Sequence, residues 1–350
     1  MSRPYALLRA GFPYYKTIGA RGRTILPNDM TIAPDGTIYT LCQGTNYGKG
    51  NPGPIYITNL EDEYIGSMAW RNAQYGPYGH CQFHWPCQIV IDGKNRLFCS
   101  DQAFDYLQVF NRDAEYLGRF GEAGTGPGQF NRPSGLAVDA QDNLYVVDSL
   151  NHRIQKFDKN GRFVSMFGSL GSEPGQFNMP WGTHVDSEHD EIYVADWRND
   201  RVQVFDMNWE FQFQFGESGS GKGQLNRPMG IAVDKDGDIY VCDWGNNRVQ
   251  LFDKTGRYIQ QFLGDATLSR QEIEVYLRRH SAKQNRLRIE ADNEQEKLFA
   301  GPRSVRVDSE GHMFVVEADH YRIQVYKKQA IVLTEMDVAP PLKVPTMNQN

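Results

Sequence analysis

The 350-residue sequence has little cysteine, five residues at positions 42, 81, 87, 99 and 242. A sparse, odd set excludes a disulfide framework and points to reduced thiols, so the cytoplasm is the expected compartment. No run of about 18 apolar residues occurs, and the stretch 1–11 lacks the apolar core of a secretory signal, so no membrane span is expected. Neither charge sign dominates. With 37 basic and 43 acidic residues the net charge is −6, which offers no general attraction to nucleic acid or anionic membrane, and neither is expected as a partner. The Gly-rich stretch 43–54 lacks the Gly-Lys-Ser/Thr ending of a phosphate loop. No nucleophile elbow or Ser-His-Asp order is present, and no organic cofactor is expected.

What is abundant is turn chemistry: 34 Gly and 17 Pro in a chain that is 40% hydrophobic and 12% aromatic. Length alone, at roughly 150 residues per domain, suggests two domains. Internal repetition says otherwise. Pro-Ser-Gly-Leu-Ala-Val-Asp (133–139), Pro-Trp-Gly-Thr-His-Val-Asp (180–186) and Pro-Met-Gly-Ile-Ala-Val-Asp (228–234) are near copies. Weaker copies begin at Pro86, Pro302 and, with Ala33 in place of the Asp, at Pro27. The prolines step by 59, 47, 47, 48 and 74 residues, so six units share one frame, with extra residues after the first and fifth.

Each unit reads as four short strands with period-2 alternation separated by turns such as Lys-Asn-Gly (159–161). Four antiparallel strands with an apolar face need neighbours to cover them, and a period of 40–50 residues is the mark of a β-propeller. The expected fold is an all-β six-bladed propeller over 14–330. The sixth unit runs out after its third strand, while 14–19 matches the outer-strand pattern, so the N-terminal strand is expected to close the ring and remove an exposed edge. The stretch 265–298 departs from the repeat. Ser269 and Glu272 have capping-box spacing before Ile273, Tyr276 and Leu277, which predicts a helix, with a second over the charged stretch 279–296. This helical insertion between blades five and six is a cover, a lid or a docking element. Residues 338–350, rich in Pro, read as an extended tail.

After the second strand recur Asp148 with Asn-His-Arg-Ile-Gln-Lys-Phe (151–157), Asp196 with Asn-Asp-Arg-Val-Gln-Val-Phe (199–205) and Asp243 with Asn-Asn-Arg-Val-Gln-Leu-Phe (246–252). Together with Pro-Gly-Gln-Phe (174–177) in the links, this resembles the NHL repeat over roughly 14–326. The resemblance implies a propeller that serves either as a protein- or RNA-binding module or as a lyase of the zinc-dependent peptidyl-hydroxyglycine amidating type. The amidating lyase places His after the blade-opening Pro in several blades; here that position holds no His and only Cys87 among metal-binding types.

Inner strands line the channel, so polar departures there are the candidate site. The residue after each Pro is Asn28, Cys87, Ser134, Trp181, Met229 or Arg303; the next is Asp29, Gln88, Gly135, Gly182, Gly230 or Ser304; two further on come Thr31, Val90, Ala137, His184, Ala232 and Arg306. Arg303, Arg306, Asp29 and Gln88 come from adjacent blades and His184 from across the ring. One polar site near one mouth is expected. Arg303 and Arg306 there bind a carboxylate, His184 is the acid or base, Asp29 orients Arg or holds a cation, and Asn28, Gln88 and Trp181 contact the ligand. A buried Arg–Asp pair with a satisfied His is the bland alternative. Separately, His80, Cys81, His84 and Cys87 lie within eight residues and suit a divalent metal, zinc or calcium. Two functions follow: a small-molecule lyase or hydrolase, or a protein-interaction platform using the insertion and Trp70, Trp85, Trp181, Trp197, Trp209 and Trp244. Oligomeric state is open.

Overall fold

Each copy of the repeat forms a four-stranded antiparallel sheet in the computed structural model, which describes residues 8–19, 24–43, 55–68, 83–113, 115–279 and 294–332. Blade three is typical: Pro133–Val138, Leu144–Asp148, Arg153–Phe157 and Phe163–Phe167 follow one another outward from the axis. Inner strands of the other blades are Pro27–Ile32, Pro86–Ile91, Thr183–Asp186, Pro228–Val233 and Pro302–Val307. Six blades make an all-β propeller.

The core is divided in the same way. Six buried clusters lie one between each pair of adjacent blades; Ala33, Leu41 and Ile55 of blade one, for example, meet Ile89, Leu97 and Phe110 of blade two. Period-2 strands present one apolar face to each neighbour, so each sheet is covered on both sides and no blade is stable alone.

The ring closes through blade six. Tyr14–Ile18 is the outer strand there, paired antiparallel with Arg322–Lys327 in the register Tyr14↔Tyr326 to Ile18↔Ile323. A two-stranded ribbon, Leu8–Gly11 with Gln329–Val332, extends this pairing.

Of the expected helical insertion, the described residues show the first helix, Arg270–Arg279, and a single turn, Glu294–Lys297. The capping box forms: Glu272 N donates to Ser269 Oγ at 3.0 Å, and Ser269 N donates to Glu272 Oε2 at 3.1 Å. The segment 280–293, the tail 338–350 and Trp70 lie outside the described residues. Of the other tryptophans only Trp85 is exposed; Trp181, Trp197, Trp209 and Trp244 are half-buried. No described helix is long and apolar enough to cross a membrane.

Candidate functional site

The repeated Asp or Glu with its Arg and Gln fastens blades three to six to the links that enter them. In blade four Asp196 accepts from Asn178 N at 2.7 Å, Asn199 Nδ2 at 2.8 Å and Arg201 Nε at 2.9 Å. Arg201 also donates to the carbonyls of Glu173 and Gln176, and Gln203 Oε1 accepts from Gly175 N. Asp148–Arg153, Asp243–Arg248 and Glu317–Arg322 repeat the pair at 2.7–2.8 Å. These charges are buried, paired and occupied by backbone, so they are scaffold.

Toward the axis the inner strands approach until side chains no longer fit between them. A Cβ on Gly182 would lie 2.0 Å from the Met229 carbonyl oxygen, one on Gly135 2.4 Å from that of Trp181, and one on Gly230 2.7 Å from Ser304 Cα. Where the same position holds a polar side chain, that group bridges to the next blade. Gln88 Oε1 accepts from Leu136 N at 2.8 Å, and Asp29 Oδ2 accepts from Ile89 N at 3.0 Å. Asp29 is fully buried and also accepts from Ser304 Oγ and from Arg306, whose Nη2 lies 2.5 Å and Nε 3.1 Å away. Asp29 therefore orients Arg306 and is not itself presented to a ligand.

Above and below this waist lie two cavities that share none of their described lining residues. The single polar site expected from the sequence is thus corrected to two. Inner strands run along the channel at about 3.3 Å per residue, so positions three apart on one strand, such as Arg303 and Arg306, are separated by roughly 10 Å and open to opposite mouths.

The wider cavity, about 790 Å³, is a cup lined by Thr31, Val90, Ala137, His184 and Arg306, with Asp35, Asp92, Asp308 and Glu310 on its rim. His184 makes no hydrogen bond through its ring among the described residues, and burial, with the Arg306 charge adding to it, pulls its pKa down to about 4. The imidazole is neutral at pH 7. Arg306 has Nε and Nη2 committed to Asp29, and Nε also to the Met30 carbonyl, which leaves Nη1 for a ligand.

The opposite mouth holds a cavity of about 210 Å³ lined by Asn28, Gln43, Trp85, Cys87, Gln88, Gln102, Trp181, Met229 and Arg303. Arg303 Nη1 donates to Asn28 Oδ1, and Asn28 Nδ2 donates to the Pro86 carbonyl at 2.5 Å, which fixes the amide's orientation. Burial lowers the pKa of Arg303. Gln43 and Gln102, which directly follow the second strands of blades one and two, were not singled out in the sequence; a polar residue just past the strand that ends at the same mouth was the available signal.

Of the metal candidates, His80 and Cys81 lie outside the described residues. His84 is exposed and stacks on Trp85, with ring centroids 5.8 Å apart, while its backbone N donates to Asp101. Cys87 is buried in the mouth cavity, and burial raises its thiol pKa, so the reactive thiolate is disfavoured. Among the described residues no three His, Cys, Asp or Glu side chains are grouped to hold a metal, and His84 and Cys87 do not form a site with His184, which lines the other cavity.

Comparison with known proteins matches this geometry. The NHL repeat model matches residues 130–157, 177–205 and 225–252, which run from the Phe or Leu that ends the link to the third strand in blades three to five. No curated protein matches the chain in sequence. Among solved structures, a protein of unknown function from Bacteroides thetaiotaomicron superposes with TM-score 0.57 at 16% identity, over 92% of this chain and 76% of that one. Virginiamycin B lyase from Staphylococcus aureus gives 0.56 at 9% identity, over 91% and 99%. A structure of the nidogen/laminin complex gives 0.51 at 16%, over 68% and 80%. At these identities the likeness is one of fold. Link, clamp and closed ring together make the chain a six-bladed β-propeller that carries NHL repeats in blades three to five.

Proposed function

We propose that the cup on the His184 side is a lyase-type active site for a small carbon acid, with His184 as base and Arg306 as the group that holds the developing oxyanion. The observation that carries this reading is the His184 imidazole: neutral, lining the cup, with both ring nitrogens free of partners among the described residues and Arg306 close enough to depress its pKa. A neutral imidazole beside a fixed guanidinium suits proton abstraction next to a carbonyl or carboxylate. In that step the C–H bond breaks toward His184 and its electron pair forms a C=C bond. The bond to a β-oxygen leaving group breaks, and the imidazolium returns the proton to that oxygen. Arg306 Nη1 meets the charge on the carbonyl oxygen, and Asp29 keeps the guanidinium from turning away. A virginiamycin B lyase among the structural neighbours shares this fold, which supports a lyase reading.

The test is turnover of a panel of β-acyloxy and β-alkoxy carboxylates followed by mass spectrometry. Elimination gives two products whose masses sum to that of the substrate; hydrolysis adds one water. His184→Ala is expected to lower turnover by about 10²- to 10⁴-fold. The acid limb of the pH–rate profile is expected near 4, where an ordinary His would place it near 6.5. Products that sum to substrate plus water, or turnover indifferent to His184→Ala, overturns the reading. Absence of turnover across the panel favours a binding platform.

A further inference from the structure

The mouth opposite the cup contains a half-buried cation with no carboxylate at ion-pair distance among the described residues. Arg153, Arg201, Arg248, Arg306 and Arg322 each lie within 3.0 Å of a buried carboxylate. Arg303 has no ion pair among the described residues; its Nη1 meets the neutral Asn28 amide and its buried Nε has no hydrogen-bond partner. A guanidinium in such a place is under-compensated, because burial removes hydration of the charge and only the Asp319 carboxylate, beyond hydrogen-bond reach, offsets that loss. Asn28 cannot turn away, since its NH₂ is held by the Pro86 carbonyl. The fork is therefore held in the cavity wall with unused donors.

The rest of the cavity combines the apolar side chains of Trp85, Trp181 and Met229 with the amides of Gln43, Gln88 and Gln102. The Trp181 ring is backed by Trp197 at 5.9 Å, and Arg227 covers Trp197 at 5.0 Å, so the wall is itself supported. Its volume of about 210 Å³ suits a small molecule.

We propose that this mouth is a binding site for a small planar carboxylate, an aromatic or unsaturated monocarboxylic acid, whose carboxylate takes the free donors of Arg303 and whose flat body lies on Trp181 and Trp85. Guanidinium and carboxylate match as a fork, and the tryptophan faces supply the apolar contact. The site shares no described lining residue with the cup, so it stands whether or not the cup is catalytic.

The probes are benzoate, cinnamate and indole-3-carboxylate, with benzamide and inorganic phosphate as controls, read by tryptophan fluorescence and by the shift in Tm of the full chain. The carboxylates are expected to bind and raise Tm by mass action, and benzamide and phosphate to bind at least tenfold more weakly. Arg303→Gln is expected to weaken carboxylate binding by about 10- to 100-fold. The same variant is expected to raise the Tm of the unliganded protein, because it deletes an under-compensated charge; a purely structural arginine would give the opposite shift. Trp181→Ala provides a second variant that leaves Arg303 in place and is expected to weaken all three acids. His184→Ala is expected to leave their binding unchanged. Benzamide or phosphate binding as tightly as benzoate, retained affinity in Arg303→Gln, equal loss in His184→Ala, or no binding by any of the three acids overturns the proposal.

Discussion

Arg303 and Arg306 are the same residue type on one strand, yet the structure gives them opposite electrostatic settings: Arg306 is held by Asp29, and Arg303 faces a neutral amide. Composition alone cannot distinguish them, because the distinction depends on which partner the neighbouring blade offers. His184 carries a prediction at this same scale. Its folded pKa of about 4 lies below the unfolded value of 6.5, so the unfolded chain binds a proton through this interval and the folded protein does not. Stability is therefore complete above about 6.5 and falls as the pH drops toward 4, with a slope of up to about 1.4 kcal/mol per pH unit. In urea titrations between pH 4 and 7.5, the stability of wild type minus that of His184→Gln is expected to decline toward the acid end. A pH-independent difference would mean that the imidazole titrates normally. The sequence reveals these side chains because they break the Gly and Ala pattern of blades three and five, and it groups them at one mouth because every inner-strand residue near the axis looks alike without the strand's length along the channel.

At the scale of the strand, the blade-opening motif is legible because local geometry dictates it. Gly182 is required by the Met229 carbonyl 2.0 Å from where a Cβ would sit, a backbone contact that cannot swing aside. Gly182→Ala is expected to cost about 1–3 kcal/mol, a fall in Tm of roughly 5 °C, and to disturb both mouths. Gly66, in the outer strand Tyr64–Met68, has nothing within 4 Å of a built Cβ and an ordinary φ; Gly66→Ala is expected to change stability by no more than about 0.5 kcal/mol. Equal effects in thermal melts would mean that the inner strands are not drawn together at the waist. Blades one, two and six are harder to read in the sequence for the converse reason. At the glycine position they carry Asp29, Gln88 and Ser304, which replace close backbone contact by hydrogen bonds, so the packing requirement is met by different residues and the repeat blurs.

For the whole molecule, a ring of six blades has one seam, where the N-terminal strand of blade six meets blade one, and the insertion is fastened across it. Gly19, just past the closing strand, donates its N–H to Asp62 Oδ1 at 2.8 Å and accepts from Ser269 Oγ. Asp62, buried in blade one's outer turn, accepts from Gln271 N at 3.0 Å and from Gln271 Nε2 at 2.9 Å, and Gln271 Oε1 accepts from the Tyr56 hydroxyl at 2.5 Å. Tyr14 and Thr267 are joined by two further hydrogen bonds. The start of the insertion is thus a clasp across the seam, a role that the capping box alone could not reveal because its partners lie some 200 residues away. Since Asp62 and Gln271 act through each other, Asp62→Ala and Gln271→Ala are expected to be non-additive. Either alone strands a buried partner, at about 1–3 kcal/mol, and the double variant is expected to fall short of the sum by 0.5 kcal/mol or more in denaturant titrations. Hydrogen exchange places the effect. In Asp62→Ala the amides of Tyr14–Ile18 are expected to lose protection while those of blades three to five keep it, because opening the seam frees an outer strand without unstacking the remaining ring. Additive costs, or protection lost evenly around the ring, would show that the insertion only rests on the propeller and does not hold it closed.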